Sequence, residues 1–133
     1  MLRGLATINF WADDLAAAKA WYTDLLGIEP YFERPGYIEF RIGDYQHELG
    51  IVDATYAPPG AAATPGGAIA HWAVDDLEAT VDRLLALGAK EYQPLRVHGP
   101  GFVTATVVDP FGNVLGVMTN VHYMEILAKT GAA

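Results

Sequence analysis

A repeated helix start constrains this chain more than any other feature of its sequence. The segment WADDL at 11–15 returns as WAVDDL at 72–77, and the run that follows each copy ends at a Leu-Gly pair. Asp14 recurs as Asp76 after 62 residues, and Gly27 recurs as Gly88 after 61 residues. Agreement at both ends of the run indicates a duplicated structural unit. We therefore expect two halves that fold alike.

The elements around the repeat predict the fold class. In each copy, Asp residues suit a helix N-cap and the Gly suits a left-handed C-cap. Hydrophobic alternation and turn residues predict strands around each helix. The predicted elements are a strand at 5–11, a helix at 14–26 and strands at 29–34, 37–42 and 46–52, then a strand at 68–74, a helix at 76–87 and strands near 90–97, 102–108 and 114–119. The fold is therefore expected to be α+β, with two βαβββ modules.

The domain organisation follows from these elements and from size. Module 1 covers about 4–53, a Pro-, Gly- and Ala-rich connector about 54–67, module 2 about 68–120, and a tail with a short helical segment 121–133. The chain of 133 residues is 52% hydrophobic, which suffices for one shared core. We expect a single domain, 1–133.

Composition excludes several classes of function. A net charge of -8 disfavours nucleic acid as a partner and weakly favours cationic ligands. No apolar run approaches the ~20 residues of a membrane span, and the N-terminal stretch does not suit a secretory signal, so a cytoplasmic location without membrane contact is expected. The absence of Cys excludes disulfides, thiolate metal sites and Cys nucleophiles. No Ser-His-Asp arrangement, phosphate loop or zinc spacing is visible.

Three motifs together resemble the vicinal oxygen chelate superfamily, which includes glyoxalase I, bleomycin-resistance proteins, fosfomycin-resistance enzymes and extradiol dioxygenases. They are the Asp-Asp-Leu helix start, the segment WYTDLLG at 21–27 and the turn DPFGN at 109–113. The resemblance implies that the βαβββ modules form half-open barrels around a ligand cavity, and that the protein is a homodimer. The motifs are caps, core aromatics and a turn, so they specify the fold and not the reaction.

The resemblance also implies where a divalent metal would bind in metal-dependent members. Those positions are Thr7, Glu48, Ile69 and Gly116 in this chain. A divalent ion needs three or more N or O donors at one point, and only Glu48 is a good ligand. We therefore expect no metal and no other cofactor.

The residues around these positions are candidates for ligand contact. His71 lies two residues beyond Ile69 and so on the same side of its strand, where it would bind a ligand, act as an acid or base, or be a hydrogen-bonded core histidine. If a metal binds at an atypical site, His71 and Glu48 are the best candidates for its ligands. By the same alternation, Asn9 and Trp11 share the face of Thr7, and Gln46 shares that of Glu48. Such a face suits a flat or cationic ligand, although Trp11 is more simply explained as core.

Three functions remain open at this point. The first is metal-independent binding of a small organic molecule in the cavity, as in the antibiotic-sequestering members of the family. The second is a lyase, isomerase or dioxygenase that uses Glu48 and His71 as acid and base or as unusual metal ligands. The third is an interaction module whose cavity is filled by side chains. Further candidates for binding an acidic group are Arg41, Arg96 and Tyr45, and the simpler interpretation of each is a solvated strand residue.

Overall fold

The computed structural model describes residues 1–61 and 64–131. The chain divides into two compact units: unit 1 comprises Met1–Thr64 with Phe111–Asn113, and unit 2 comprises Pro65–Pro110 with Val114–Ala133. Residues 62–63 of the predicted connector and 132–133 of the predicted tail lie outside the described residues. The interpretation of the whole chain as a single domain stays a prediction.

Unit 1 contains the first βαβββ module. Its elements are β1 (Thr7–Ala12), α1 (Leu15–Leu26), β2 (Phe32–Arg34), β3 (Tyr37–Ile42) and β4 (His47–Asp53), followed by a 3-10 turn at Ala54–Tyr56. The sheet order is β1-β4-β3-β2, and only the β1–β4 pair is parallel. β2 is shorter than the predicted 29–34, because Pro30 has no backbone N–H to donate.

Unit 2 repeats the same plan. Its elements are β5 (Ala70–Ala73), α2 (Leu77–Ala86), β6 (Lys90–Gly99), β7 (Phe102–Val108), β8 (Val114–Thr119) and the tail helix α3 (Val121–Lys129). The order β5-β8-β7-β6 matches the first sheet strand for strand, with β5–β8 as the parallel pair. The α+β prediction of two βαβββ modules is confirmed, and neither sheet closes on itself. Within the described residues, no helix has the length and apolar character that a membrane crossing requires.

The repeated Asp residues act as predicted. Asp14 caps α1 by accepting from Ala17 N at 3.0 Å, and Asp76 caps α2 by accepting from Ala79 N at 3.1 Å. Gly27 ends α1 in the left-handed conformation, at φ 70°. The second copy differs slightly, because Leu87 is the C-cap of α2 and Gly88 follows it at φ 102°.

Each sheet buries one face under its own helix. In unit 1, Tyr22 of α1 is 1% exposed and packs its ring near those of Phe10 and Phe40, with centroids 6.2 and 6.5 Å away. In unit 2, the buried Leu77 and Leu84 of α2 provide the corresponding helix face. In β3 the buried residues alternate with partly exposed ones, whereas β4, β7 and β8 each contain at least three consecutive buried residues. Because successive side chains of a strand point to opposite sides, each sheet still has a second face, opposite its helix.

The turn at 109–113 fixes the free edge of β1. Trp11 N donates to Asn113 Oδ1 at 3.0 Å, and Asn113 Nδ2 donates to Trp11 O at 2.8 Å. Phe111 lies edge-on to Trp21 of α1, with ring centroids 6.3 Å apart. Because β1 is an edge strand, its outward backbone groups lack a strand partner, and the Asn113 amide satisfies both groups of one residue.

We predict that Asn113→Ala destabilises the protein by about 1–3 kcal/mol, since it leaves a donor and an acceptor of Trp11 unpaired. Urea unfolding measures the loss. Asn120→Ala is the comparison, because it removes one backbone bond, the cap bond to Tyr123 N, together with a weak bond from its Nδ2 to Met118 Sδ, and should cost about 1 kcal/mol. If Asn113→Ala costs no more than Asn120→Ala, the double hydrogen bond does not stabilise β1 as described.

Candidate functional site

Strand β3 shows how unit 1 builds a polar surface. Its residues Ile38, Phe40 and Ile42 are buried at 0–7% exposure on the α1 side. The intervening side chains therefore lie on the opposite side, since successive strand residues alternate between faces. They are Tyr37, Glu39 and Arg41. We call the side of this sheet opposite α1 the polar face of unit 1.

Strand register places four of the predicted ligand-binding residues on this face. Thr7 pairs with Glu48, which in turn pairs with Arg41. In the next pair along, Asn9 and Glu39 lie on either side of Gly50. Beyond them, Trp11 and Tyr37 lie on either side of Val52. Thr7 and Asn9 are exposed, and Trp11 and Glu48 are partly exposed. The structure thus brings an indole, an amide, a hydroxyl and a carboxylate together on two neighbouring strands.

Gly50 has no side chain and leaves space on this face for its neighbours. A Cβ at residue 50 would collide with Asn9 Oδ1 and would lie 2.8 and 2.9 Å from Cε1 and Oη of Tyr37. Real Cβ atoms do not approach other atoms so closely, so the Asn9 amide and the Tyr37 phenol occupy the space that a side chain would take. Glycine at this position lets two polar side chains from neighbouring strands converge.

Glu39 forms the anchored centre of the face. Its side chain is 12% exposed; Oε1 accepts from Tyr37 Oη at 2.8 Å, and Oε2 lies 3.7 Å from Arg41 Nε. The Arg41 guanidinium carbon also lies 3.6 Å from the centroid of the Tyr31 ring. A carboxylate that is largely removed from water needs such partners, because an unpaired one would be costly. Arg41 is thus held by Glu39 and Tyr31 and is not a freely solvated strand residue.

Burial and two carboxylates perturb Tyr37. Burial, the hydrogen bond to Glu39 and the negative charges of Glu39 and Glu48 raise the pKa of Tyr37 from 10.0 to about 12. All these effects disfavour the phenolate. Tyr37 is therefore a neutral hydrogen-bond donor at physiological pH.

Unit 2 has a corresponding polar face, opposite α2. His71 pairs with Gly116, and a Cβ at residue 116 would lie 2.6, 2.7 and 2.9 Å from Cδ2, Cγ and Nε2 of the imidazole. Such a point is nearly equidistant from three consecutive ring atoms, which requires it to lie above the ring and not in its plane. The imidazole of His71 thus lies with one face on Gly116, and the residue is exposed.

The residues at the family's metal positions do not fit a divalent ion. Thr7 and Glu48 are neighbours in unit 1, but Gly116 has no side chain and the space beside it holds the His71 ring. Ile69 lies just before β5 and has no donor atom in its side chain. Among the described residues, no three His, Asp or Glu side chains form a group able to hold a metal.

One predicted residue lies off the polar face of unit 1, and two residues on that face were not predicted from the sequence. Gln46 is not in β4: it lies in the turn at φ 55°, and its Nε2 donates to Gly43 O at 2.9 Å, so the alternation that placed it beside Glu48 is wrong. Glu39 and Tyr37 were missed, although the alternation of β3 around Ile38, Phe40 and Ile42 is a usable signal. His71 lies in unit 2 and Glu48 in unit 1.

The comparisons with known proteins bear on this pair of modules. The model of the Glyoxalase/Bleomycin resistance protein/Dioxygenase superfamily matches residues 4–117. The chain belongs to this superfamily. No protein of curated function matches it significantly.

Solved structures with the superfamily fold resemble the chain at low sequence identity. A glyoxalase-related enzyme from Fulvimarina pelagi is 21% identical with a TM-score of 0.71, covering 90% of this chain and 89% of its own. The lactoylglutathione lyase from Agrobacterium tumefaciens is 23% identical with a TM-score of 0.67, and the match covers 89% of this chain and 94% of the lyase. A bleomycin resistance determinant encoded on the transposon Tn5 is 23% identical with a TM-score of 0.64, and the match covers 89% of this chain and 98% of the determinant. At these identities, the likeness shows the superfamily fold alone.

We predict that Glu39→Gln lowers the pKa of Tyr37 part of the way from about 12 towards 10.0, because the charge of Glu39 is lost and its hydrogen bond to the phenol is weakened while burial remains. Ultraviolet titration of the phenolate measures it, with Tyr37→Phe assigning the signal. Since the folded pKa is raised, neutral Tyr37 stabilises the fold fully below pH 10.0, and this contribution disappears as the pH rises through about 12. Glu33→Gln, an exposed carboxylate of β2, should leave the titration unchanged.

Proposed function

We propose that this protein binds a small organic molecule on the polar face of unit 1 and needs no divalent metal to do so. The observation that carries the proposal is the juxtaposition of the partly exposed Trp11 with Asn9, Thr7 and Glu48 on adjacent strands. Membership of a superfamily with a bleomycin resistance determinant among its structures supports sequestration as the role. Binding without chemistry needs only a shaped surface with a few fixed polar groups.

The residues favour a flat ligand that carries a positive charge. The Trp11 indole offers a stacking surface, and the Glu48 carboxylate offers a charge-assisted hydrogen bond. Within the part of the chain that the structure describes, Glu48 forms no ion pair, whereas Glu39 is engaged by Tyr37 and Arg41. Glu48 is thus the carboxylate available to a ligand. The net charge of -8 would also draw a cation towards the protein.

The proposal extends to the assembly and its location. We propose a homodimer in the cytoplasm, with the small molecule as the binding partner and no nucleic acid or membrane. The acidic composition supports the exclusion of nucleic acid. Light scattering at tens of micromolar tests the dimer, and a monomer would remove this part of the proposal.

The expected ligand preference follows from the two contacts. Benzamidine, a planar cation, should bind unit 1, and Glu48→Gln should weaken it by about 1.5–3 kcal/mol, since a hydrogen bond between charged groups is lost. Trp11→Phe should cost less, about 0.5–1.5 kcal/mol, because an aromatic surface remains. Calorimetry gives the affinities, and the indole N–H signal of Trp11 reports binding locally.

Glu33→Gln is the matched control, because it removes an exposed carboxylate that is paired with Lys19 at 3.0 Å. It changes the net charge as Glu48→Gln does and should leave the affinity nearly unchanged. Equal weakening by both variants would mean that Glu48 acts only through overall charge. Tighter binding of a neutral aliphatic compound, with no effect of Glu48→Gln, would overturn the cationic ligand.

One observation favours the alternative of an enzyme that uses Glu48 and His71. The His71 imidazole is exposed and lies with one face on Gly116, so it is accessible as an acid, a base or a metal ligand. Elemental analysis after dialysis separates the two functions. We expect no stoichiometric metal, because Ile69 and Gly116 supply no donors. One zinc, nickel, iron or manganese per chain that is lost in Glu48→Ala would replace the binding proposal with the enzyme.

A further inference from the structure

The polar face of unit 2 differs in charge from that of unit 1. Strand register identifies its members, because residues paired across an antiparallel ladder lie on the same face. Lys90 pairs with Val108, Gln93 with Thr106 and Arg96 with Thr104, while Thr106 and Thr104 pair in turn with residues of β8. The face includes Lys90, Gln93, Arg96, Phe102, Thr104, Thr106, Val108, Val114, Gly116, Met118, Ala73 and His71.

This face carries no carboxylate, in a chain with 16 Asp and Glu and 8 Lys and Arg. Glu91 is the only acidic residue within the four strands of the sheet, all of which the structure describes. It pairs with Val107, which is 1% exposed on the α2 side. Lys90 and Arg96 form no ion pair with any described residue.

The acidic residues near this sheet gather on its other side. Asp75, Asp76 and Glu78, at the start of α2, line a cavity of about 380 Å³ together with Leu95, Val97 and Val103. Leu95 and Val97 flank Arg96 in β6, so Arg96 points to the opposite face. The carboxylates at the start of α2 and the strand cations Lys90 and Arg96 therefore lie on opposite sides of the sheet.

Hydrogen bonds to two threonines of this face fix the side chains of Gln93 and His98. Thr106, which is 1% exposed, donates its hydroxyl to Gln93 Oε1 at 3.1 Å. This bond occupies the amide oxygen and turns the Gln93 NH₂ group away from Thr106. His98 Nε2 lies 2.8 Å from Thr104 Oγ1, and its ring stacks near Phe102 with centroids 4.9 Å apart, which fixes His98 beside Thr104 and hence near Arg96.

We propose that the polar face of unit 2 binds the anionic oxygen group of a small molecule, a carboxylate or a phosphate, through Arg96 with Gln93, His98 and His71 around it. The guanidinium presents paired N–H donors that match two oxygens of either group. The Gln93 amide adds a neutral donor, and the imidazole of His71, lying on Gly116, adds a flat surface beside them. None of these residues is among those proposed to bind a cation in unit 1, and the proposal does not depend on that set.

The experiment uses benzoate and phenylphosphonate as probes and benzamidine as their cationic counterpart. Backbone amide spectra of the full chain are expected to show shifts at Arg96, His98 and Gly116 with the anions and not with benzamidine. Arg96→Gln should weaken binding of the anions about tenfold or more, in line with a lost hydrogen bond between charged groups. The better of the two anions distinguishes a carboxylate ligand from a phosphate ligand.

Lys129→Gln in α3 is the control, because it removes an equal charge from an exposed position outside the sheet. It should change the affinity for the anions much less than Arg96→Gln does. Equal effects of both variants, or anion-induced shifts confined to residues outside this face, would overturn the site. Gly116→Ala supplies a second test: it must displace the His71 ring and should weaken the aromatic anions while inorganic phosphate binds as before. Loss of inorganic phosphate binding to the same extent would show that His71 supplies no ring surface.

Discussion

The structure depends on the burial of one face of each sheet under one helix. In β3, this requirement fixes Ile38, Phe40 and Ile42 on the α1 side. Because side chains alternate between the two faces of a strand, the residues between them must lie on the opposite face. Tyr37, Glu39 and Arg41 reach the polar face for that reason, and Glu48 meets them through register. A shift of β3 by one residue would bury Glu39 and Arg41 under α1. The hydrophobic core therefore determines which groups can meet a ligand.

The repeat made the fold predictable, because the signals that mark it are local. Asp14 and Asp76 cap their helices through their own backbone neighbours, and Gly27 adopts a conformation that its lack of Cβ permits. Alternation also placed Thr7, Asn9, Trp11 and Glu48 on one face. Their role in ligand binding stays a prediction, as do those of Ile69, His71 and Gly116.

The remaining features depend on contacts between strands that no local pattern contains. Gly50 and Gly116 look like ordinary strand glycines in the sequence, yet each receives a polar side chain from the neighbouring parallel strand, Asn9 in one unit and His71 in the other. The two pairs occupy equivalent places in the repeat. Gln46 was misplaced because its left-handed backbone belongs to the turn before β4. Glu39 was missed because its importance comes from Tyr37 and Arg41, which converge on it only in the folded sheet.

The turn at 109–113 determines whether the first half of the chain can be a complete module. Phe111–Asn113 belongs to unit 1, although the strands that flank the turn, β7 and β8, belong to unit 2. A chain that ended near residue 64 would lack the amide that completes β1 at Trp11. No single cut in the polypeptide yields unit 1 whole. The first half of the chain is thus incomplete on its own, because the segment that satisfies its edge strand is carried by the second half.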